Sequence, residues 1–471
     1  MTSNPEKCKF SGVVDTGLCD THSLVYAVSN IFAPRLPAKT VTYRNFKNNV
    51  PENYARDVSF IPVSACQIFE DPSDNYWALQ TLLTDIINEH APVKTINVRA
   101  IESPFMNRLL RRAVREKRRL WNKFQEYKTS FNWELYRIQR NITTKIRKEA
   151  IKDYLYNRCC SGPKNYDFWR TIKPFLSNNG NSNNAIMIQS EEGIVSKPLD
   201  VANHLNNNFI NIATNIGTDN NFTNITASTP TVEECSNFYQ DHPSILRIKD
   251  SELSLSLEFK HTNPETVENV IKSLDAKKST GFDFIPCKLL KPIASNLCHH
   301  ISTIFNQCID THIFPDSAKL AEVSPIFKKD DNLNAKNYRP VSVLTSISKV
   351  LEKLIHVQLL PFIQSILDPR VSAYRKGYSS QYVLLDLIEN RKKKALDRKK
   401  YVGAIFTDLS KAFDCLPHHL IIAKLKAYGM DEGGCALLLS CLSERKQRVK
   451  ISGVDRKSTR LNSSHANISY A

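Results

Sequence analysis

The sequence predicts an α+β chain of more than one body, and three observations carry that expectation. Val402 to Phe406 is a short apolar run that suits a strand buried on both faces, and it leads into the carboxylate of Asp408. Beyond it, Ile421, Ile422, Leu425 and Tyr428 fall along one face of a helix, with Pro417 at its start and Gly429 at its close. A length of 471 residues exceeds one ordinary hydrophobic core, so two or three bodies are expected.

Asp408 gives the strand–helix unit its interest. A carboxylate at the end of a buried strand is costly unless something pairs with it. Magnesium is the natural partner, because it takes carboxylate and phosphate oxygens in near-octahedral geometry. An isolated Asp in this position more often caps a turn, so the flanking residues decide between the two readings. Phe413, an aromatic five residues on, is one of them.

The segment Phe406-Thr407-Asp408-Leu409-Ser410-Lys411-Ala412-Phe413-Asp414 resembles the first palm motif of reverse transcriptases, in the form used by non-LTR (LINE-type, jockey-like) retrotransposons. The resemblance implies a right-hand polymerase, here fingers and a partial palm preceded by a basic helical linker. It also implies that Asp408 is a metal-binding catalytic aspartate and that the backbone carbonyl of Leu409 is a second ligand. Phe413 becomes the steric gate under the incoming sugar. A flat rigid ring rejects one extra hydroxyl by clash and by leaving it unpaired. Asp414 is read as orienting the turn before the helix.

Further segments follow the family's order. Lys277-Lys278-Ser279-Thr280-Gly281-Phe282-Asp283-Phe284-Ile285-Pro286 resembles its first segment, with Phe284 where a second Gly is usual. Val323 to Asp330 and Asn337 to Ser342 resemble the fingers motif in which a Lys and an Arg grip the triphosphate. Arg339, with either Lys328 or Lys329, is expected in that role. A triphosphate demands dense positive charge, and Arg presents a planar fork to phosphate oxygens. Ser346 to Ile355 reads as a helix with Ile347, Leu351 and Leu354 on one side. Ala373 to Ser380, carrying Arg375 and Lys376, resembles a fingers segment, and Val383 to Ile388 reads as an amphipathic helix after it. Leu442 to Ile451 resembles the hairpin that precedes the next palm motif, so matched segments run over residues 272–454.

The motifs that carry the family's other catalytic aspartates do not occur in these 471 residues. Asp455 to Ala471 instead resembles an in-frame translation of a sequencing-library adapter and is expected to be non-native. Polymerases of this kind use two magnesium ions about 3.5–4 Å apart, which one aspartate cannot hold alone. The resemblance therefore implies RNA-directed DNA synthesis from an RNA template, a DNA primer or target and dNTPs, with the chain as written expected to be inactive by itself. The alternative reading is a non-catalytic RNA- or DNA-binding remnant.

Val14 to Tyr26 resembles the last motif of the retrotransposon's apurinic-type endonuclease, in which Asp20 and His22 match the residues that position and deprotonate water. Cys19 stands where Ser is usual, and Thr21 is an extra residue before the His. A remnant rather than a working nuclease is expected. From Arg99 to Arg119 there are eight Arg or Lys and two Glu, Arg111, Arg112, Arg115, Arg118 and Arg119 among them, with Leu109, Leu110, Ala113, Trp121 and Phe124 interleaved. The net charge of +17 and the pI near 9.2 favour a polyanion partner. Basic residues on one side and aromatics on the other suit backbone neutralisation with base stacking, and the family resemblance points to RNA.

The twelve Cys contain no Cys-x-x-Cys, so reduced thiols rather than a zinc site or disulfides are expected. No run of about 18 apolar residues occurs, which argues against a membrane span. The resemblance implies an intracellular ribonucleoprotein, in nucleus and cytoplasm. The expected organisation is an endonuclease remnant over 1–45, a basic helical linker with Asn-rich loops over 46–235, fingers and partial palm over 260–454, and the tail over 455–471.

Overall fold

A computed structural model describes residues 8–14, 24–29, 39–47, 49–98, 103–160, 171–172, 175, 186–191, 193–212, 230–251, 255–375, 377–401, 403, 405–407, 416–451, 454–455 and 459–460. They group into two compact units, residues 1–41 with 96–182, and residues 42–95 with 183–471. Helix and strand are mixed, as an α+β expectation requires.

The first unit contains an antiparallel pair of strands, Cys8–Val14 and Leu24–Ser29, with Gly12 opposite Tyr26. It also contains a helical hairpin, Arg108–Glu126 and Ser130–Cys160. Asn107 starts the hairpin by accepting a hydrogen bond from the Leu110 N–H at 2.8 Å, a side-chain cap for an otherwise orphan donor. Asn132 closes the turn by donating to the Tyr127 carbonyl at 2.9 Å. Leu110 and Ala113 are buried, and the Thr143 hydroxyl donates across to the Ala113 carbonyl at 3.2 Å.

The second unit begins at Thr42, within strand β1 (Lys39–Arg44), continues through helices α1 (Pro51–Ser59) and α2 (Pro72–His90), and reaches Thr95 within strand β2 (Val93–Val98). β1 and β2 pair, with the Thr42 and Thr95 hydroxyls 3.2 Å apart. Asp71 caps α2 by accepting from the Ser73 N–H at 2.7 Å, and Pro72 occupies a first-turn position where its missing N–H costs nothing. Tyr76, Leu79, Leu83 and Ile87 of α2 recur at helical spacing and are fully buried.

The chain continues through α3 (Pro198–Ile210), α4 (Pro264–Ser273) and α5 (Ala294–Thr311) to strands β3 (Leu320–Phe327) and β4 (Tyr338–Val343). Then come α6 (Ser346–Ile366), α7 (Ser380–Asp386), α8 (His418–Ala427), α9 (Glu432–Leu442) and β5 (Lys446–Ile451). One cluster gathers the buried faces of α1, α2, α4, α5, α6, α8 and α9. Helices α1 and α2, within the 46–235 span expected to be a linker, thus share a core with the helices that flank the polymerase-like motifs.

β3 is central to the sheet. It runs antiparallel to β4 and parallel to β5, and residues 454–455 and 459–460 add short antiparallel pairs to β5. Helix α6 extends the predicted 346–355 segment to Ile366, and Thr345 caps it through the Ser348 N–H at 3.3 Å. Helix α8 begins one residue after Pro417, and Gly429 follows its end at φ +101°. A Cβ there would stand 1.9 Å from the Leu255 carbonyl oxygen, so only glycine fits.

Two expectations are corrected. Residues 405–407 form no strand, and Ile405 and Phe406 are 94% and 85% exposed, rather than buried on both faces. An apolar run is buried only where neighbouring strands and a covering layer meet it, and no described strand pairs with this one. Val383 to Ile388 is helical, passing from α7 into a π-helical stretch, Leu387–Lys393, yet α7 buries no residue.

The turn from α9 into β5 is fixed by a buried ion pair. Arg445 is 4% exposed and donates to Glu352 of α6 at 2.5 Å and to the Cys441 carbonyl at 2.8 Å. Burial opposes its charge, but Glu352 and Cys441 outweigh that and raise its pKa. Removing one member leaves the other charge buried and uncompensated. Glu352→Ala is expected to destabilise the second unit by about 3–5 kcal/mol in denaturant unfolding, whereas loss of a surface ion pair costs under about 1 kcal/mol.

Candidate nucleotide and nucleic-acid interface

The β3–β4–β5 sheet has one apolar and one charged face because side chains alternate along each strand. Val323, Tyr338, Val449 and Ile451 join Val201, Leu205 and Phe209 of α3 in a second buried cluster. The alternate positions carry Glu322 and Ile326 on β3, Arg339 and Val341 on β4, and Arg448 and Lys450 on β5. Cα register sets Ile326 opposite Arg339 and Glu322 beside Arg448. Glu322 is 7% exposed and accepts from Arg448 at 3.2 Å and from Lys450 at 3.1 Å.

The β3–β4 connection is tied internally. The Lys328 N–H donates to the Asn337 carbonyl at 3.0 Å, Asn337 Nδ2 to the Asp331 carbonyl at 2.8 Å, and the Tyr338 hydroxyl to the Asn332 carbonyl at 2.7 Å. Lys328, Lys329 and Arg339 therefore share one end of the hairpin, and all three are exposed. The two residue types expected to meet a triphosphate are brought together here by strand register.

The 277–286 loop packs against the charged face. Gly281 has no room for a side chain, since a Cβ would lie 2.7 Å from the Thr345 nitrogen. Phe284, where the resembling family has Gly, adopts φ +54°. That left-handed conformation costs a residue with a Cβ about 1–2 kcal/mol. The Phe284 ring lies 4.6 Å from Lys450 Nζ, and the Phe282 ring 5.3 Å from the Arg448 guanidinium, both within cation–π range. Lys349 Nζ of α6 donates to the Ser279 carbonyl at 2.8 Å.

Between these two rings in sequence, Asp283 turns inward. Its Oδ1 accepts from the Ile285 N–H at 3.1 Å, while its buried Oδ2 has no partner among the described residues. Burial pushes its carboxyl up to about 6, against the Ile285 hydrogen bond and the nearby Arg44 and Lys349 charges.

Arg44 was not singled out by any motif. It is 7% exposed at the end of β1. Nε donates to the Phe284 carbonyl at 2.7 Å and Nη2 to the Asp283 carbonyl at 3.2 Å. Nη1 donates to Asn88 Oδ1 and to the Ala91 carbonyl, each at 2.9 Å. Glu322 was likewise missed, because an isolated Glu in a strand carries no motif. The alternation of apolar residues through β3 was the available signal.

Other expected site residues are distributed as follows. Arg375 is half-buried, donates to the Leu367 carbonyl at 2.7 Å beyond the end of α6, and lies 5.7 Å from the Tyr378 ring. Asp408, Leu409, Phe413, Lys376, Asp20 and His22 lie outside the described residues. The described residues hold no group of three His, Cys, Asp or Glu able to take a metal ion. No described helix is long and apolar enough to cross a membrane.

In the first unit, Arg111, Arg112, Arg115, Arg118 and Arg119 are exposed along the 108–126 helix, and Arg119 donates to Glu116 at 2.6 Å. The aromatics beside them are engaged with one another. Trp121 lies 4.8 Å from Tyr136, and Phe124 5.1 Å from Trp133, between ring centroids. The rings thus form an aromatic seam between the two helices, with Trp121 and Trp133 still exposed beside the basic surface.

The Asp283 environment generates a pH prediction. A folded pKa raised above the unfolded value means the protonated form is favoured in the fold, so this stabilising contribution is present at low pH and lost as pH rises through about 6. Asp283→Asn keeps the Ile285 hydrogen bond without the buried charge. It is expected to raise stability at pH 7 by on the order of 2 kcal/mol and to flatten the pH dependence between about pH 4 and 7, read from urea midpoints across that range.

Comparison with known proteins bears on this interface. Residues 326–461 match the family described as reverse transcriptase (RNA-dependent DNA polymerase). Three proteins of Drosophila melanogaster are similar to this chain. The probable RNA-directed DNA polymerase from transposon BS is 30% identical over 211 residues, 43% of this chain and 22% of that protein. The RNA-directed DNA polymerase from mobile element jockey is 27% identical, covering 38% of this chain and 20% of that protein. The probable RNA-directed DNA polymerase from transposon X-element is 31% identical, covering 35% and 18%. The chain spans about a fifth of the length of these curated relatives.

Proposed function

From the premise of a reverse-transcriptase segment of the non-LTR retrotransposon kind, we propose that the β3–β4 hairpin is the triphosphate grip of an RNA-directed DNA polymerase. The observation that carries this reading is the register that sets Arg339 opposite Ile326, at the same end of the hairpin as Lys328 and Lys329. Lys328 is one ladder step beyond Phe327, and strand alternation favours it over Lys329 as the partner of Arg339. In this reading Arg339 presents its fork to phosphate oxygens, a lysine supplies a point charge, and Phe413 excludes a ribose 2′-hydroxyl. Asp408 and the Leu409 carbonyl are the residues that would hold magnesium, which supplies charge neutralisation and activation of a primer hydroxyl. RNA template, DNA primer and dNTPs are the proposed partners, and an intracellular ribonucleoprotein the proposed setting.

The 471-residue polypeptide alone is proposed to bind nucleotide without extending a primer, because the sequence contains one of the motifs that hold the two metals and lacks the others. Titration with a fluorescent dNTP in magnesium buffer, alongside primer extension on an RNA template, tests both parts. Arg339→Gln is expected to weaken dNTP binding on the order of tenfold, Lys328→Gln to weaken it comparably, and Lys329→Gln to have little effect. Equal affinities across all three variants would sink the hairpin reading, and primer extension by the chain itself would sink the claim of inactivity.

The second reading, a nucleic-acid-binding remnant, is favoured by the exposed arginines of the 108–126 helix. Replacing Arg111, Arg112, Arg115, Arg118 and Arg119 by Gln is expected to shallow the slope of log affinity for single-stranded RNA against log salt, by up to about 0.7 for each phosphate left without its cation. An unchanged slope would remove this helix from the RNA interface.

A further inference from the structure

Arg44 belongs to no recognised motif, yet it is one of the most completely bonded cations in the second unit. Its four hydrogen bonds go to oxygens of three separate segments: the 283–284 backbone, Asn88 near the end of α2, and the Ala91 carbonyl that follows it. None of these acceptors is a carboxylate. Burial lowers its pKa, and Asp283 and Tyr54 work against that. A buried guanidinium spent on backbone carbonyls secures geometry more than charge, because only a planar fork reaches acceptors in several directions at once.

The geometry it secures is unusual. Phe284 sits at φ +54°, and a residue with a Cβ holds that conformation only when its surroundings over-determine it. With the carbonyls of Asp283 and Phe284 bound to Arg44, the rings of Phe282 and Phe284 are set beside Arg448 and Lys450. Those two cations also share Glu322. An unbroken set of contacts therefore runs from β1 through the loop to the sheet face that bears Arg339.

We propose that Arg44 is a positioning residue that holds the 282–284 loop in its left-handed turn and thereby sets Arg448 and Lys450 on a polyanion-binding face. The proposal rests on the reading of this sheet as a polymerase's triphosphate grip, extended from the phosphates of a nucleotide to those of a nucleic acid. It makes residues 42–95, upstream of every polymerase-like motif, part of the binding apparatus rather than a spacer.

The test uses the full chain with Arg111, Arg112, Arg115, Arg118 and Arg119 changed to Gln, so that the 108–126 helix does not mask the sheet. The probe is a fluorescein-labelled oligo(U) RNA followed by anisotropy, with thermal melts run in parallel. Arg44→Met is expected to weaken oligo(U) binding on the order of tenfold, and to have no further effect when Arg448→Gln and Lys450→Gln are already present. In the melts, Arg44→Met and Lys450→Met together are expected to lower the midpoint by less than the sum of their separate shifts, because both loosen the same loop against the same strand. Arg44→Lys is expected to restore neither property. Additive midpoint shifts with binding intact, or full rescue by Arg44→Lys, overturn the positioning role while leaving the binding reading in place. No oligo(U) binding in this background, together with non-additive melts, overturns the binding reading and with it the role of Arg44 in it.

Discussion

One carboxylate, that of Glu322, holds the charged sheet face together. It is buried on the central strand, where an unpaired anion would be costly, and it is matched by Arg448 and Lys450 from the parallel neighbour. The pairing works only in the observed register, with Glu322 beside Arg448. Register in turn follows from the opposite face, where Val323, Val449 and Ile451 must meet Leu205 and Phe209. A slip by one residue would send the cations into that core and the branched side chains into water. The apolar face thus selects the alignment, and the ion triad makes the alternative worse.

Much of this was legible in the sequence where local chemistry and tertiary context agree. The periodic apolar faces read over 346–355 and 421–428 both turn toward the core, with Ile347, Leu351, Leu354, Ile422 and Leu425 buried and Ile421 and Tyr428 half-buried. The 446–451 strand lies where a hairpin before the next palm motif was expected. The Lys328, Lys329 and Arg339 cluster follows from two strands meeting in a short connection. Illegible were features set by distant partners. Tyr54, Tyr76, Leu79 and Leu83 fell within the expected 46–235 linker because no motif marks them, although the spacing of the last three suits one helix face and all four are buried. Ile405 and Phe406 show the reverse, an apolar run left in solvent because burial depends on a second surface that no local pattern can report.

Phe284 illustrates a third kind of illegibility. A departure from Gly at one motif position looked small, yet the backbone there is left-handed, the conformation for which Gly is the natural choice. The strain is offset by what the larger side chain adds, a ring against Lys450. A sequence comparison sees only a missing glycine. The structure shows an exchange of backbone ease for a cation–π pairing on the charged face.

The parallel pairing of β3 with β5 also has a consequence for how this polypeptide is born. Glu322 and Arg448 are 126 residues apart in sequence, and their strands cannot meet until β5 has been made. Loop closure on that scale is slow compared with helix formation, so α5 and α6 have ample time to collapse first. During translation the β3–β4 hairpin then waits with one edge open, offering unpaired N–H and C=O groups to any extended segment nearby. A growing chain of this kind has reason to be shielded by a chaperone until β5 arrives.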